Sequence, residues 1–326
     1  MRLVGYTSAK PTTGSRESRE GGERTSRWRC KGLMRPGTLA LALAVLTAGG
    51  ASASATKEVR NGKIAFWSDL GPAAIFVVNP DGSGERRLTE PTLRAKDGVW
   101  SPDGTRIAFY GSADEGGDAN FDIFVMNADG SGRRRLTSNP ARDIFPAWLP
   151  GGRRIGFTRE SRGGSDTWVM NDDGTQARRL LTNAVGASWS PNGRRIVFTS
   201  LRNGNVDVYV VAADGSGRRR LTRSAADDEA PSWSPNGRRI AFTSFRNGQA
   251  EIYVMAPNGR AQRRLTRNSA RDYGSAWSPD GRKLVFTSSR SGRGRVYVMN
   301  ADGKAQRRVT HSRRDEDADT WQPVFR

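Results

Sequence analysis

The chain has 326 residues, of which 26% are charged and 35% apolar, with 38 glycines. That balance fits a turn-rich all-β protein with short strands and speaks against a helical one. The formal charge is +20, of which nine Lys/Arg against three Asp/Glu lie before Thr56, leaving roughly +14 for the remainder. Such a field attracts polyanions, but its arginines recur along the chain instead of clustering, as a solvated basic surface does.

Residues 1–33 are polar, basic and rich in Gly and Ser. They read as an extension ahead of the true translation start at Met34. Residues 34–55 have the form of a secretory signal peptide: Lys31 and Arg35, an apolar run of about a dozen residues, then Ala-x-Ala cleavage sites ending at Ala53 or Ala55. The run is short for a bilayer span, so the mature chain is expected to carry no transmembrane segment and to be periplasmic or secreted. Cys30, the only cysteine, lies upstream of cleavage, which excludes disulfides, Cys metal sites and a Cys nucleophile from the mature protein.

Residues 56–326 form one repeat-built body. Trp100, Trp148, Trp189, Trp233, Trp277 and Trp321 are spaced by 48, 41, 44, 44 and 44 residues, a period diagnostic of a repeat architecture. Each unit offers four strands. The first surrounds Trp. The second is an Ile/Leu-x-Phe run, as in Ile64–Phe66, Ile107–Phe109, Ile155–Phe157, Ile196–Phe198, Ile240–Phe242 and Leu284–Phe286. The third alternates, as in Asp122–Met126, Asp207–Val211, Glu251–Met255 and Arg295–Met299, and the fourth is Arg-Arg-Leu-Thr, as in Arg86–Thr89, Arg134–Thr137 and Arg263–Thr266. Pro-Asp/Asn-Gly joins the first pair and Ala-Asp-Gly-Ser-Gly or a relative the second pair, both tight-turn chemistry.

Four short antiparallel strands per unit, repeated around an axis, describe the blades of a β-propeller. There are six Ile-x-Phe strands, but the first repeat lacks a Trp strand before it. The missing strand comes last, at Asp319–Phe325, so its pairing with the N-terminal repeat is expected to close a six-bladed ring and remove the open edges.

The phrases Trp-Ser-Pro-Asp-Gly-x-x-Ile-Ala-Phe, Asp-Ile-Tyr-Val-Met-Asn-x-Asp-Gly and Arg-Leu-Thr resemble the TolB family of propeller repeats over about residues 60–326. They differ from eukaryotic WD repeats, which carry Gly-His and Trp-Asp; the single His here is His311. The resemblance implies an exported, non-catalytic scaffold that binds a protein or cell-envelope component. The envelope protein TolB itself has an additional α/β domain before its propeller, and here only a few residues separate signal peptide and first blade, so roles dependent on that domain do not carry over.

By analogy with the family, binding falls on the face formed by the second-to-third and fourth-to-first connections. There a carboxylate precedes Trp by five residues, as Asp143, Asp228, Asp272 and Glu316, and an Arg follows the second strand, as Arg162, Arg202, Arg246 and Arg290. They form either a partner-binding rim or a loop brace repeated from blade to blade; exposed pairs of this kind contribute only about 0–1 kcal/mol each. Phe145 and Tyr273 are the aromatics of that rim. The Thr182 to Trp189 connection is short and lacks the carboxylate, which predicts a notch. Asp114, Glu115 and Asp118 lie in a longer Gly-rich loop and offer oxygen ligands for Ca²⁺, though without a full ligand pattern.

Enzyme chemistry finds little support. One His cannot build a multi-His metal site, and no Gly-x-Ser-x-Gly elbow is present. The alternative to a scaffold is a carbohydrate-active or glycan-binding propeller that uses the rim carboxylates on an anionic glycan. Export and the absence of an aromatic–basic stacking stripe argue against nucleic acid. The protein is expected to be a monomer without a cofactor.

Overall fold

The computed structural model describes residues 58–69, 72–113, 120–202 and 204–325. The N-terminal extension, the signal segment and the acidic residues Asp114, Glu115 and Asp118 lie outside the described residues. The rest is a six-bladed propeller of four-stranded antiparallel sheets. Blade 1 is assembled from both ends of the chain: its inner strand is Glu316–Phe325, followed outward by Val59–Ser68, Ala74–Val78 and Arg86–Arg87. Blades 2 to 6 follow in sequence, with inner strands Arg94–Trp100, Arg142–Trp148, Val185–Trp189, Asp228–Trp233 and Asp272–Trp277. No described helix is long and apolar enough to cross a membrane.

The closing strand is longer than its motif. It runs from Glu316, paired with Ser68, to Phe325, paired with Val59, so ten residues of it stitch the two ends of the chain together. Blade 2 clasps it further. Gln322 Nε2 donates to the Gly104 carbonyl at 3.0 Å. Gly104 has φ +71°, and a Cβ there would sit 2.1 Å from the Pro323 carbonyl oxygen, so only glycine fits this contact.

The local chemistry of the repeat explains its phrases. In Ser101-Pro-Asp-Gly, the Ser101 hydroxyl donates to Asp103 at 2.5 Å and accepts from the Arg106 N–H at 3.0 Å, fixing the hairpin between the first and second strands. The outermost strands are only two residues long in five blades. The Leu of Arg-Arg-Leu-Thr still donates its N–H to a third-strand carbonyl, as Leu88 does to Ile75 at 2.8 Å, and the Thr side chain takes over from there. Thr89, Thr137, Thr222, Thr266 and Thr310 each accept a third-strand N–H through Oγ1 at 2.9–3.1 Å.

The core lies between blades rather than within them. Each of six hydrophobic clusters joins neighbouring sheets; the one around Phe66 and Trp321 of blade 1 also takes in Val285, Val296 and Val298 of blade 6. The six Phe residues of the Ile/Leu-x-Phe motif are all at most 1% exposed. Both sheet faces are therefore buried, so second and third strands read as almost continuous apolar runs. Gly156 stands where the other repeats have Ala or Val, because Trp189 of blade 4 fills the space, 2.0 Å from where a Cβ would be.

Candidate functional site

All six inner strands bulge near the residue three before their Trp. That residue has positive φ in five blades: Asp97, Phe145, Gly186, Ala230 and Gly274. A bulge re-aims side chains along a strand, here along the channel wall. The next-door blade supports several bulges through the residue that follows its core Phe. Thr158 accepts from the Gly186 N–H at 3.1 Å, Thr243 from Gly274 at 3.2 Å and Thr287 from Ala318 at 2.8 Å.

Blades 1 and 2 break this rule. The position held by Thr in blades 3 to 6 is Trp67 in blade 1 and Tyr110 in blade 2. Against them stand the two large side chains forced into left-handed backbone, Asp97 (φ 52°) and Phe145 (φ 53°). Asp tolerates that region, but a bulky residue such as Phe145 is strained there, by roughly 1–3 kcal/mol, and persists only where its surroundings over-determine it. Trp67 and Tyr110 both face Asp97 and favour its charged form. Tyr110 also meets Phe145 edge-on, with ring centroids 5.9 Å apart. The Lys96 ammonium sits 4.3 Å from the centre of the Trp67 ring.

Two further carboxylates converge here from the closing strand. Asp319 accepts the Gly98 N–H at 2.8 Å, and Asp317 accepts the Tyr273 hydroxyl at 2.6 Å. All three acids are half-buried. Electrostatically they behave as buried groups, since a narrow channel supplies little bulk dielectric. Burial, then the neighbouring Asp317 charge, pushes Asp97 up to about 7, with Lys96 opposing. Asp319 lies well above the usual carboxylate range because of burial and then Asp97. Burial likewise raises Asp317, offset by its hydrogen bond from Tyr273. Like charges this close titrate together, so the trio retains protons at neutral pH. It can exchange a proton or receive a cationic group. Among the described residues, no group of three or more His, Cys, Asp or Glu is placed to hold a metal ion.

The rim residues named from the sequence fall into two sets. Asp143, Asp228 and Asp272 are fully buried. Asp228 accepts from Arg246 Nη2 at 2.9 Å, and Asp272 from Arg290 Nη2 at 2.8 Å. Each of those arginines also donates to a Gln, Gln262 or Gln306, at 2.8 Å. Asp143 is gripped at both oxygens by Arg159, at 2.7 and 2.8 Å, and not by Arg162. Its partner is the residue directly across the ladder. Arg162 and Arg202 are exposed at the rim. Glu316 is buried and accepts from Ser312. Its blade supplies no Arg two residues after Ser68, where blades 5 and 6 have Arg246 and Arg290 after Ser244 and Ser288. Phe145, 38% exposed, packs on Tyr110 beside the acidic trio, and Tyr273 donates to Asp317 of the trio itself.

The TolB β-propeller domain model matches residues 182–264 and 227–324. The repeats within 182–324 are therefore similar to those of the TolB propeller. Among solved structures, TolB from Acinetobacter baumannii superposes with a TM-score of 0.71 at 19% identity, covering 80% of this chain. The match takes in 66% of the Acinetobacter chain, slightly under two thirds of its length. Putative TolB from Agrobacterium tumefaciens gives 0.66 at 20% identity, covering 81% of this chain and 99% of the other. A chain of the nidogen/laminin complex gives 0.64 at 13% identity, covering 80% and 98%. At these identities the likeness is one of fold. No curated protein sequence matches the chain.

Within this TolB-like ring, sequence reasoning named Phe145 and Tyr273 of this cluster but not Trp67, Lys96, Asp97, Tyr110, Asp317 and Asp319. One signal was available. Aligning the residue after each core Phe gives Trp, Tyr, Thr, Thr, Thr, Thr, and the two exceptions mark the blades that carry the site.

Proposed function

We propose that this TolB-like propeller is an exported, non-catalytic scaffold that binds a protein or other cell-envelope component through the face carrying the channel mouth. The observation behind this reading is that, at the bulges of the inner strands and the residues facing them, bulky side chains replace the usual small ones in blades 1 to 3. There Phe145 is strained, exposed and backed by Tyr110, as an aromatic anchor at an interface would be. In this reading Tyr273 and the exposed Arg162 and Arg202 extend the contact surface. The buried pairs of Asp143, Asp228 and Asp272 with arginine hold the loops that present it.

The test is quantitative capture from the native envelope fraction by immobilised mature protein, with Phe145→Ala and Arg202→Ala alongside. The expected result is a defined partner captured by the wild type and lost on Phe145→Ala, with melting unchanged. Equal recovery on wild type and Phe145→Ala would remove the channel mouth from the reading.

The glycan alternative has one observation in its favour. A carboxyl held protonated near neutrality beside others is the arrangement that glycoside hydrolysis employs. Cleavage of an envelope glycan by the wild type, abolished by Asp97→Asn, would move the assignment to that side.

A further inference from the structure

In blades 2 to 5 the third strand begins with or contains, at one fixed repeat position, a carboxylate: Asp122, Asp166, Asp207 and Glu251. In blades 2, 4 and 5 it neutralises the fourth-strand arginine, Arg135, Arg220 or Arg264, and accepts the hydroxyl of the following Thr137, Thr222 or Thr266. In blade 3, Asp166 meets Arg179 at 3.3 Å. Blade 1 has the neutral Ala74 there. Blade 6 reverses the charge: the position is Arg295.

Arg295 is 5% exposed. Its Nη1 donates to the carbonyls of Gly294 and Arg314, while its Nε is buried without a partner. Arg308, the fourth-strand arginine of this blade, keeps the Nε bond to the Thr310 carbonyl seen in its counterparts. Among the described residues, no carboxylate pairs with either Arg295 or Arg308. Thr310 accepts the Val296 N–H at 3.1 Å, but here no acid receives its hydroxyl. Leaving a buried cation such as Arg295 without a counter-charge is costly, which favours an anion drawn from elsewhere.

Room for one exists. Arg295 and Arg308 line an open cavity of about 460 Å³ together with Arg293, Arg313, Ser291 and Ser312. Two carboxylates approach it, and both are engaged with the loop. Asp315 accepts the Gly294 N–H at 3.0 Å and lies 4.0 Å from Arg293. Glu316 accepts from Ser312, with its other oxygen buried and unpartnered. Four arginines against these two leave a positive excess, and guanidinium forks suit tetrahedral oxyanions.

We propose that this cavity over blade 6 binds a phosphate- or sulfate-type oxyanion, which takes the place of the internal carboxylate used by blades 2 to 5. The proposal does not depend on the partner suggested above. Arg295 and Arg308 supply its charged floor, and Arg293, Arg313 and the two serines its mouth.

The test restores the repeat. Arg295→Glu reproduces the arrangement of blade 5, so it is expected to fold and to bind no anion. Mature wild type and variant are melted and titrated calorimetrically with sodium phosphate and sodium sulfate, against sodium chloride at matched ionic strength. The expected result is a saturable rise in the wild-type melting temperature, with affinity at least tenfold weaker in Arg295→Glu. Arg313→Ala, a change at the cavity mouth, is expected to weaken binding about threefold or more and keeps the test open if Arg295→Glu fails to fold. Identical wild-type behaviour in phosphate, sulfate and chloride, or undiminished binding in a folded Arg295→Glu or in Arg313→Ala, would overturn the proposal.

Co-sedimentation with phosphatidylglycerol vesicles, against phosphatidylcholine ones, separates the sources once binding is seen. Capture that Arg295→Glu or Arg313→Ala reduces assigns the site to a headgroup phosphate. Phosphate binding without such capture assigns it to the free ion.

Discussion

Replacing Asp97 by Asn removes a carboxyl that the folded channel holds protonated near neutrality. Its pKa rises from the ordinary 3.8 to about 7, through burial first and the Asp317 charge second. Between about pH 4 and pH 7 the folded state therefore binds more protons than the unfolded chain. The stability contributed by this group falls as pH rises through that window. Near pH 4 and below it carries little or no penalty; above pH 7 the whole penalty is present. At about 1.4 kcal/mol per pH unit the ceiling is on the order of 4 kcal/mol, and the group's partial exposure lowers it to about 1–2 kcal/mol.

Asn is close to isosteric, tolerates the φ of 52° at this position and still offers an oxygen to Tyr110 and Trp67. Asp97→Asn should therefore melt about 2–6 °C above the wild type at pH 8 and within about 1 °C of it at pH 4. Calorimetric melting of both proteins at the two pH values reads this directly. An equal gain at both values, or a loss at pH 8, would refute the argument that charge burial in the channel is the cause.

Other substitutions probe the ring and its braces. Truncation before Asp319 should abolish cooperative melting, because most of the strand that closes the ring is removed; an unchanged transition by circular dichroism would contradict the closure. Asp272→Ala strands Arg290 without its buried counter-charge and should cost about 3–5 kcal/mol in denaturant melts. Arg202→Ala, at an exposed position, should stay within about 0.5 kcal/mol of the wild type in the same melts. Gly156→Ala drives a methyl into Trp189 and should cost about 1–3 kcal/mol, with a change in Trp fluorescence as its second signature.

What the sequence determined by itself is everything carried by local pattern. The Trp period, the Ile/Leu-x-Phe runs and the Pro-Asp-Gly turns specify strands, hairpins and the number of blades, because alternation and turn chemistry act over a few residues. Even the closure was legible, since an unpaired first repeat and a surplus final strand admit one simple joining. The sites depend on distances that no local pattern records. Asp97 and Asp319 lie 222 residues apart in the chain and meet only because blade 1 is built from both ends. Arg159 rather than Arg162 holds Asp143 because cross-strand register, not proximity to the end of the strand, chooses the partner. The charge reversal at Arg295 was visible as a letter, but its meaning was not. It acquired one when the tertiary structure showed a buried guanidinium, an emptied carboxylate position and three more arginines around the same cavity.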